Sequence, residues 1–142
     1  MDIAAIRQGL AAAADAIDGL TCYGFVPDAI VAPCFMACEV EINFDSAFGR
    51  GLDTVTVTCR VLVSRADDKA GQSGLDAYLA GSGSSSLKAA LEAARGAPGQ
   101  SALDGACDDF RVTRVQGYRL YEHAGVDYFG AELTVMCIGS GD

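Results

Sequence analysis

The chain contains no tryptophan, one histidine, three prolines and only ten lysines and arginines in 142 residues. Each scarcity excludes something. Ten scattered cations against nineteen carboxylates give a net charge of −9, which argues against general nucleic-acid binding, because neutralising phosphates needs clustered Lys and Arg. No apolar run approaches the ~20 residues of a membrane span. The N-terminus MDIAAIRQGL lacks a basic region followed by an apolar stretch, so no signal peptide is visible. Without export, the six cysteines (Cys22, Cys34, Cys38, Cys59, Cys107, Cys137) are expected to be buried free thiols rather than a disulfide framework.

At 51% hydrophobic, the sequence has enough apolar material for a core without metal or disulfide staples, and its length fits one domain. The clearest pattern is DTVTVTCRVLVSR. Val55, Val57, Cys59, Val61 and Val63 alternate with Thr54, Thr56, Thr58, Arg60 and Ser64, the period of a strand with one apolar and one wetter face. Leu62 breaks the polar series, so the wetter face is expected to be partly covered near that end. Asp67 or Asp68 then offers an N-cap for a helix carrying Ala70, Leu75, Tyr78 and Leu79, in which Gly71 and Gly74 each cost about 1 kcal/mol relative to alanine.

Around this spine, Asp2 caps a first helix predicted to run through about Ala16 or Ile17, with Ile3, Ile6, Leu10, Ala13, Ala14 and Ile17 on one face. Gly19 ends it, and a short strand from Leu20 to Val26 follows. PDAIVAP (Pro27–Pro33) is a loop leading into a strand over Cys34–Phe44. Asp45–Asp53 is a further loop, too long for a tight hairpin turn. Gly81–Ser86 is a hinge before a helix over about Ser85–Arg95. Gly96–Ala106 has few structure signals and is expected to be mobile. Strands over about Cys107–Tyr121 and Val126–Ile138 close the chain, with Glu122–Gly125 as their turn. The expected class is α+β: one domain, a mixed or antiparallel sheet with helices packed on one face, in the order α-β-β-β-α-α-β-β.

The candidate chemical sites resolve to structural readings. His123 sits beside Glu122 and Asp127, but no motif supplies the positioned partner and second group that a general base needs. Cys34 and Cys38, four residues apart on a strand, would share a face yet stand about 13 Å apart, too far for one zinc. GSGSSS before a helix lacks the GK[ST] ending of a phosphate loop and reads as a linker with a serine N-cap. Asp67/Asp68 and Asp108/Asp109 are adjacent pairs, which on a strand point to opposite faces. No catalytic, cofactor or metal residues are expected.

Read as a whole, IRQGLAAAADAIDGL, YGFVPDAIVAP, the block DSAFGRGLDTVTVTCRVLVSRADDKAGQSGLDAYLAGSGSSSLKAALEA and DDFRVTRVQGYRLYEHAGVDYFGAELTVMCIG resemble the small tail-terminator (tail-completion) proteins of long-tailed bacteriophages, particularly those infecting actinobacteria. The cysteine-rich Cys34–Cys38 stretch departs from the pattern without disturbing it. The resemblance implies a structural virion protein and not an enzyme. It implies a ring, usually a hexamer, at the head-proximal end of the tail tube, which stops tube polymerisation and joins the neck. The implied partners are other copies of the chain, the tail tube protein and a head-completion or neck protein. DNA would pass through the lumen without specific binding, and assembly would take place in the host cytoplasm. In such a ring the Asp45–Asp53 loop is a candidate subunit contact through Asp45, Phe48 and Arg50, since an aromatic and a planar cation are typical interface anchors. The alternatives are another neck or tail component (a head-closure protein or tail-tube subunit) and, from a different class, a small-ligand-binding α+β domain.

Overall fold

The computed structural model describes residues 1–45, 48, 51–65 and 68–140. Among them are helices α1 (Ile3–Ala14), α2 (Asp68–Leu79) and α3 (Leu87–Glu92), and strands β1 (Thr21–Tyr23), β2 (Cys34–Asn43), β3 (Leu52–Ser64), β4 (Asp109–His123) and β5 (Val126–Ser140). The five strands form one mixed sheet in the order β1-β2-β3-β5-β4. Only the β1–β2 pair is parallel; every other neighbour is antiparallel. The α+β class and the order of the main elements are as the sequence predicts.

The helices gather on one face because that is where the alternation of β3 and β5 puts its apolar side chains. Val55, Val57, Cys59, Val61 and Val63 meet Leu133, Val135 and Cys137 of β5, Ile6, Leu10 and Ala14 of α1, Leu75 of α2, and Leu87 and Leu91 of α3 in one core cluster. Asp2 caps α1, its carboxylate accepting from the Ala5 amide at 3.3 Å. Ser86 caps α3, accepting from the Ala89 amide at 3.1 Å while its hydroxyl donates to the Ala80 carbonyl at 2.6 Å. GSGSSS therefore serves as a capped linker.

Several boundaries differ from expectation. The first helix stops at Ala14, although Ile17 beyond it is still buried. The first strand is three residues, not Leu20–Val26. The third helix spans Leu87–Glu92 rather than Ser85–Arg95, and its last turn is loose. β4 lies two residues further along than predicted, β5 runs two residues longer, and they meet at a two-residue turn, Ala124–Gly125, both with positive φ. The expected mobile segment Gly96–Ala106 is anchored in its second half. Ala102 and Leu103 are buried in the core, and Leu103–Gly105 forms a short 3-10 turn against α1. The Asp67 cap falls outside the described residues.

The opposite face of the sheet is divided. At one end, residues 24–33 cross it, and a small second cluster forms from Cys34, Met36, Leu62 and Tyr121 with Tyr23, Ile30 and Tyr128 packed on it. This explains why Leu62 interrupts the polar alternation of β3. The crossing is fixed by His123, whose Nε2 lies 2.7 Å from the Pro27 carbonyl, and by Tyr23, whose hydroxyl accepts from the Val31 amide at 3.3 Å. His123 is thus the clasp of a loop, not a simple exposed turn residue.

Candidate interaction surface

Beyond that loop, the rest of this face carries no covering element among the described residues. A register irregularity between Ala37 and Glu39 moves the second half of β2 out of simple alternation with the first. As a result Cys34 and Met36 face the small cluster, while Glu39, Glu41 and Asn43 line up with Thr58, Thr56 and Thr54. On the other side of β3 these threonines face Thr134, Met136 and Ile138 of β5. β4 closes the face with Arg114 opposite Thr134 and Arg111 opposite Met136; an irregularity between Val112 and Arg114 brings both arginines to the same side.

Near the covered end, Arg60 forms a salt bridge to Glu132 at 3.0 Å and lies 4.5 Å over the Tyr121 ring, with Arg119 at the same distance. Tyr121 is sandwiched between two guanidiniums, and its hydroxyl donates to the Gly117 carbonyl at 2.6 Å. At the far end Arg95 makes a two-pronged bond to Asp109 (3.0 Å each), and its guanidinium holds that carboxyl below the usual range. Asp108 lies just before β4, and it lines one hollow together with Asp109 and Arg95.

Exposed apolar side chains occur at both ends of the strands and, as Val115, Tyr118 and Leu120, along β4 between them. Phe44 (72% exposed) and the fully exposed Phe48 stand at the β2–β3 end. Val26, Val31 and Val126 stand toward the opposite end, while Phe25 lies beside α1 at Ala4, Arg7 and Ala11. Among the proposed interface residues, Phe48 does not fold back on the core. Asp45 is used within its own loop: its amide donates to Asp53 Oδ1 at 3.0 Å, and its Oδ1 accepts from the Gly51 amide at 3.4 Å. Arg50 lies outside the described residues.

The groups that chemistry would require are dispersed. His123 is at the loop-covered end. A hollow of about 640 Å³ lies beside α1 and is lined by Met1, Asp2, Gln8, Leu103, Cys107 and Asp108 among others, without His123. All six cysteines are thiols. Burial pushes Cys22 and Cys34 up to about 12 and raises Cys38 and Cys59 as well, the opposite of an activated nucleophile. Cys137 is raised by its hydrogen bond to Cys107 and by burial. Among the described residues, no group of three or more His, Cys, Asp or Glu is placed to hold a metal ion, and no helix is long and apolar enough to cross a membrane.

What the arrangement offers is surface: an uncovered sheet face, strand edges without a neighbouring strand, and exposed apolar groups at both ends of the sheet and along β4. Sequence reasoning reached Phe48 but missed the β4 arginines as a set, because their common side depends on an irregularity that the simple alternation of DDFRVTRVQ does not show. No protein-family model matches the chain, and no curated protein matches it.

Proposed function

We propose that the protein is a structural subunit of a long-tailed bacteriophage. Copies form a ring at the head-proximal end of the tail tube, end tube polymerisation and present the surface that joins the neck. It acts by assembly and not as an enzyme. The reading starts from the resemblance of nearly the whole chain to tail-terminator proteins. The structural observation that carries it is the placement of exposed apolar groups at opposite ends of one sheet: Phe44 and Phe48 at one, Val26, Val31 and Val126 at the other. An adaptor between two different partners needs two docking ends held apart by a rigid body, and β2 alone, at ten residues, holds them about 30 Å apart at ~3.3 Å per residue. Concentrated exposed apolar side chains mark interaction sites rather than ordinary solvated surface. The acidic balance suits a lumen along which DNA slides without sticking.

The test is the mass and shape of the purified protein, by light scattering and negative-stain microscopy, with and without isolated tail tubes. Rings, or monomers that become rings on tube ends, are expected. Long hollow tubes of this protein alone would make it a tube subunit instead. A monomer indifferent to tubes would overturn the proposal.

A further inference from the structure

The sheet has two edges without a neighbouring strand among the described residues, and they match each other. β1 pairs only with Cys34–Met36, so no strand lies along β2 from Cys38 to Ile42. β4 is the last strand on the other side, with no strand along its outer edge; there the Val112 amide donates to Glu92 of α3 at 3.3 Å, a contact that an incoming strand would displace. Three successive antiparallel pairings, β2–β3, β3–β5 and β5–β4, make the two edge strands run in opposite directions. A second copy placed beside the first in the same orientation would therefore meet it as one more antiparallel pair, β4 against β2, and such an edge pairing can repeat head to tail.

The side chains on the uncovered face follow the same polarity. Reading across the strands, one row is Glu41, Thr56, Met136, Arg111, and the next is Glu39, Thr58, Thr134, Arg114. Each row begins with a carboxylate at the β2 edge and ends with a guanidinium at the β4 edge. The register irregularities after Ala37 and after Val112 set this up, so that both pairs occupy consecutive rows. Among the described residues, none of these four side chains has an oppositely charged partner within salt-bridge distance. Arg114 makes only a long contact to Thr134 Oγ1 at 3.5 Å. Where β1 blocks the β2 edge, the rows start from the neutral Met36 and Cys34, and the one acid in them, Glu132, is paired with Arg60 inside the sheet. The opposed charges thus coincide with the part of β2 that is free.

We infer that this chain joins to a second copy of itself by pairing the β4 edge of one subunit with the free β2 edge of the next, Arg111 and Arg114 of one facing Glu39 and Glu41 of the other. The inference deepens the ring reading and rests on it in taking another copy as the occupant. Main-chain pairing supplies the adhesion, and the two charge pairs fix register and direction. Unpaired edges of this length invite promiscuous pairing, and the rows of opposed charge select the head-to-tail contact over edge-to-like-edge contacts, which would set glutamates against glutamates or arginines against arginines.

Sedimentation velocity of the full chain over a concentration and salt series tests it. The wild type should self-associate, and more weakly as salt rises. Arg111→Glu with Arg114→Glu, and separately Glu39→Arg with Glu41→Arg, should each lower the association constant by on the order of 100-fold. Mixed in equal amounts, the two variants should associate again, because every joint in an alternating array then sets opposite charges together. The milder Arg111→Gln with Arg114→Gln protein should fold like the wild type and lose the salt dependence. Wild-type-like association of either reversed variant, or of a glutamine variant that keeps its salt dependence, would overturn the inference. So would a wild type that stays monomeric throughout while Arg111 and Arg114 prove to bind duplex DNA. Rings that form normally with either edge reversed would leave the ring reading standing without this joint. Edge-dependent association with no effect on tail tubes would leave the joint standing and remove that reading.

Discussion

Two glycines in α2 look equivalent in sequence and differ in the fold. On propensity alone, Gly71→Ala and Gly74→Ala should each stabilise the helix by about 1 kcal/mol. At Gly74 an added Cβ meets nothing within 4 Å, so that gain should appear in full. At Gly71 the Cβ would stand 2.6 Å from the Ser64 carbonyl oxygen, where ordinary contact begins at 3.4 Å. The obstacle is backbone at the end of β3, and the helix cannot lift freely, because Leu75 one turn on is wholly buried. Overpacking of this kind costs about 1–3 kcal/mol, which exceeds the propensity gain. Gly71→Ala is expected to be destabilised by about 1 kcal/mol net and Gly74→Ala stabilised by about 1 kcal/mol. Urea unfolding should show midpoints shifted in opposite directions with unchanged slopes. In thermal unfolding the two proteins should differ by roughly 4–8 °C. A Gly71→Ala protein as stable as Gly74→Ala would refute the docking of α2 on β3.

Further expectations follow from other parts of the molecule. His123→Ala removes the clasp on the Pro27 carbonyl; amide exchange across residues 24–33 should quicken, at a cost of about 1 kcal/mol in stability, and unchanged exchange would show that the loop is held otherwise. The Cys22 and Cys34 thiols are raised from 9.0 to about 12 by burial, so the folded state keeps protons that the unfolded chain releases. Their contribution is complete below pH 9 and is lost as pH rises through 12. Stability should fall over that window, less steeply in a Cys22→Ala/Cys34→Ala protein, and an equally steep fall in both would assign the loss to other groups. Leu91→Ala, at a fully buried site, should cost about 2–5 kcal/mol by chemical denaturation; a loss below 1 kcal/mol would mean α3 is not part of the core. Phe48→Ala should leave stability unchanged while weakening assembly, and normal rings on tube ends from that protein would remove the loop from both contacts.

The parts of the fold legible in sequence are those set by local period and capping. The alternation of β3, the Asp2 and Ser86 caps, and the apolar face of α1 all depend on neighbours a few residues apart. Even the exception at Leu62 was informative, since it implied a cover over the wetter face. What covers it was not legible. Residues 24–33 have no periodicity, and their path is fixed by His123, 96 positions from its partner Pro27. Leu103 looked like part of a bare loop because its burial depends on α1, which lies far away in sequence. The charge rows were hidden for a related reason. A register irregularity shifts every later side chain relative to simple alternation, so Arg111 and Arg114, three apart, read as belonging to opposite faces. Phe48 was legible as a protruding aromatic, whereas Asp45, read as a contact residue, turns out to close the base of its own loop.

The central claim is that this protein ends tail-tube growth, and the most direct measurement is tube length. Tail tube protein polymerising from purified initiation complexes should be imaged with increasing amounts of this protein added during growth. The account predicts a ring on one end of each tube and lengths that stop increasing once rings are present. Tubes that lengthen unchanged, with no density at either end, would contradict it.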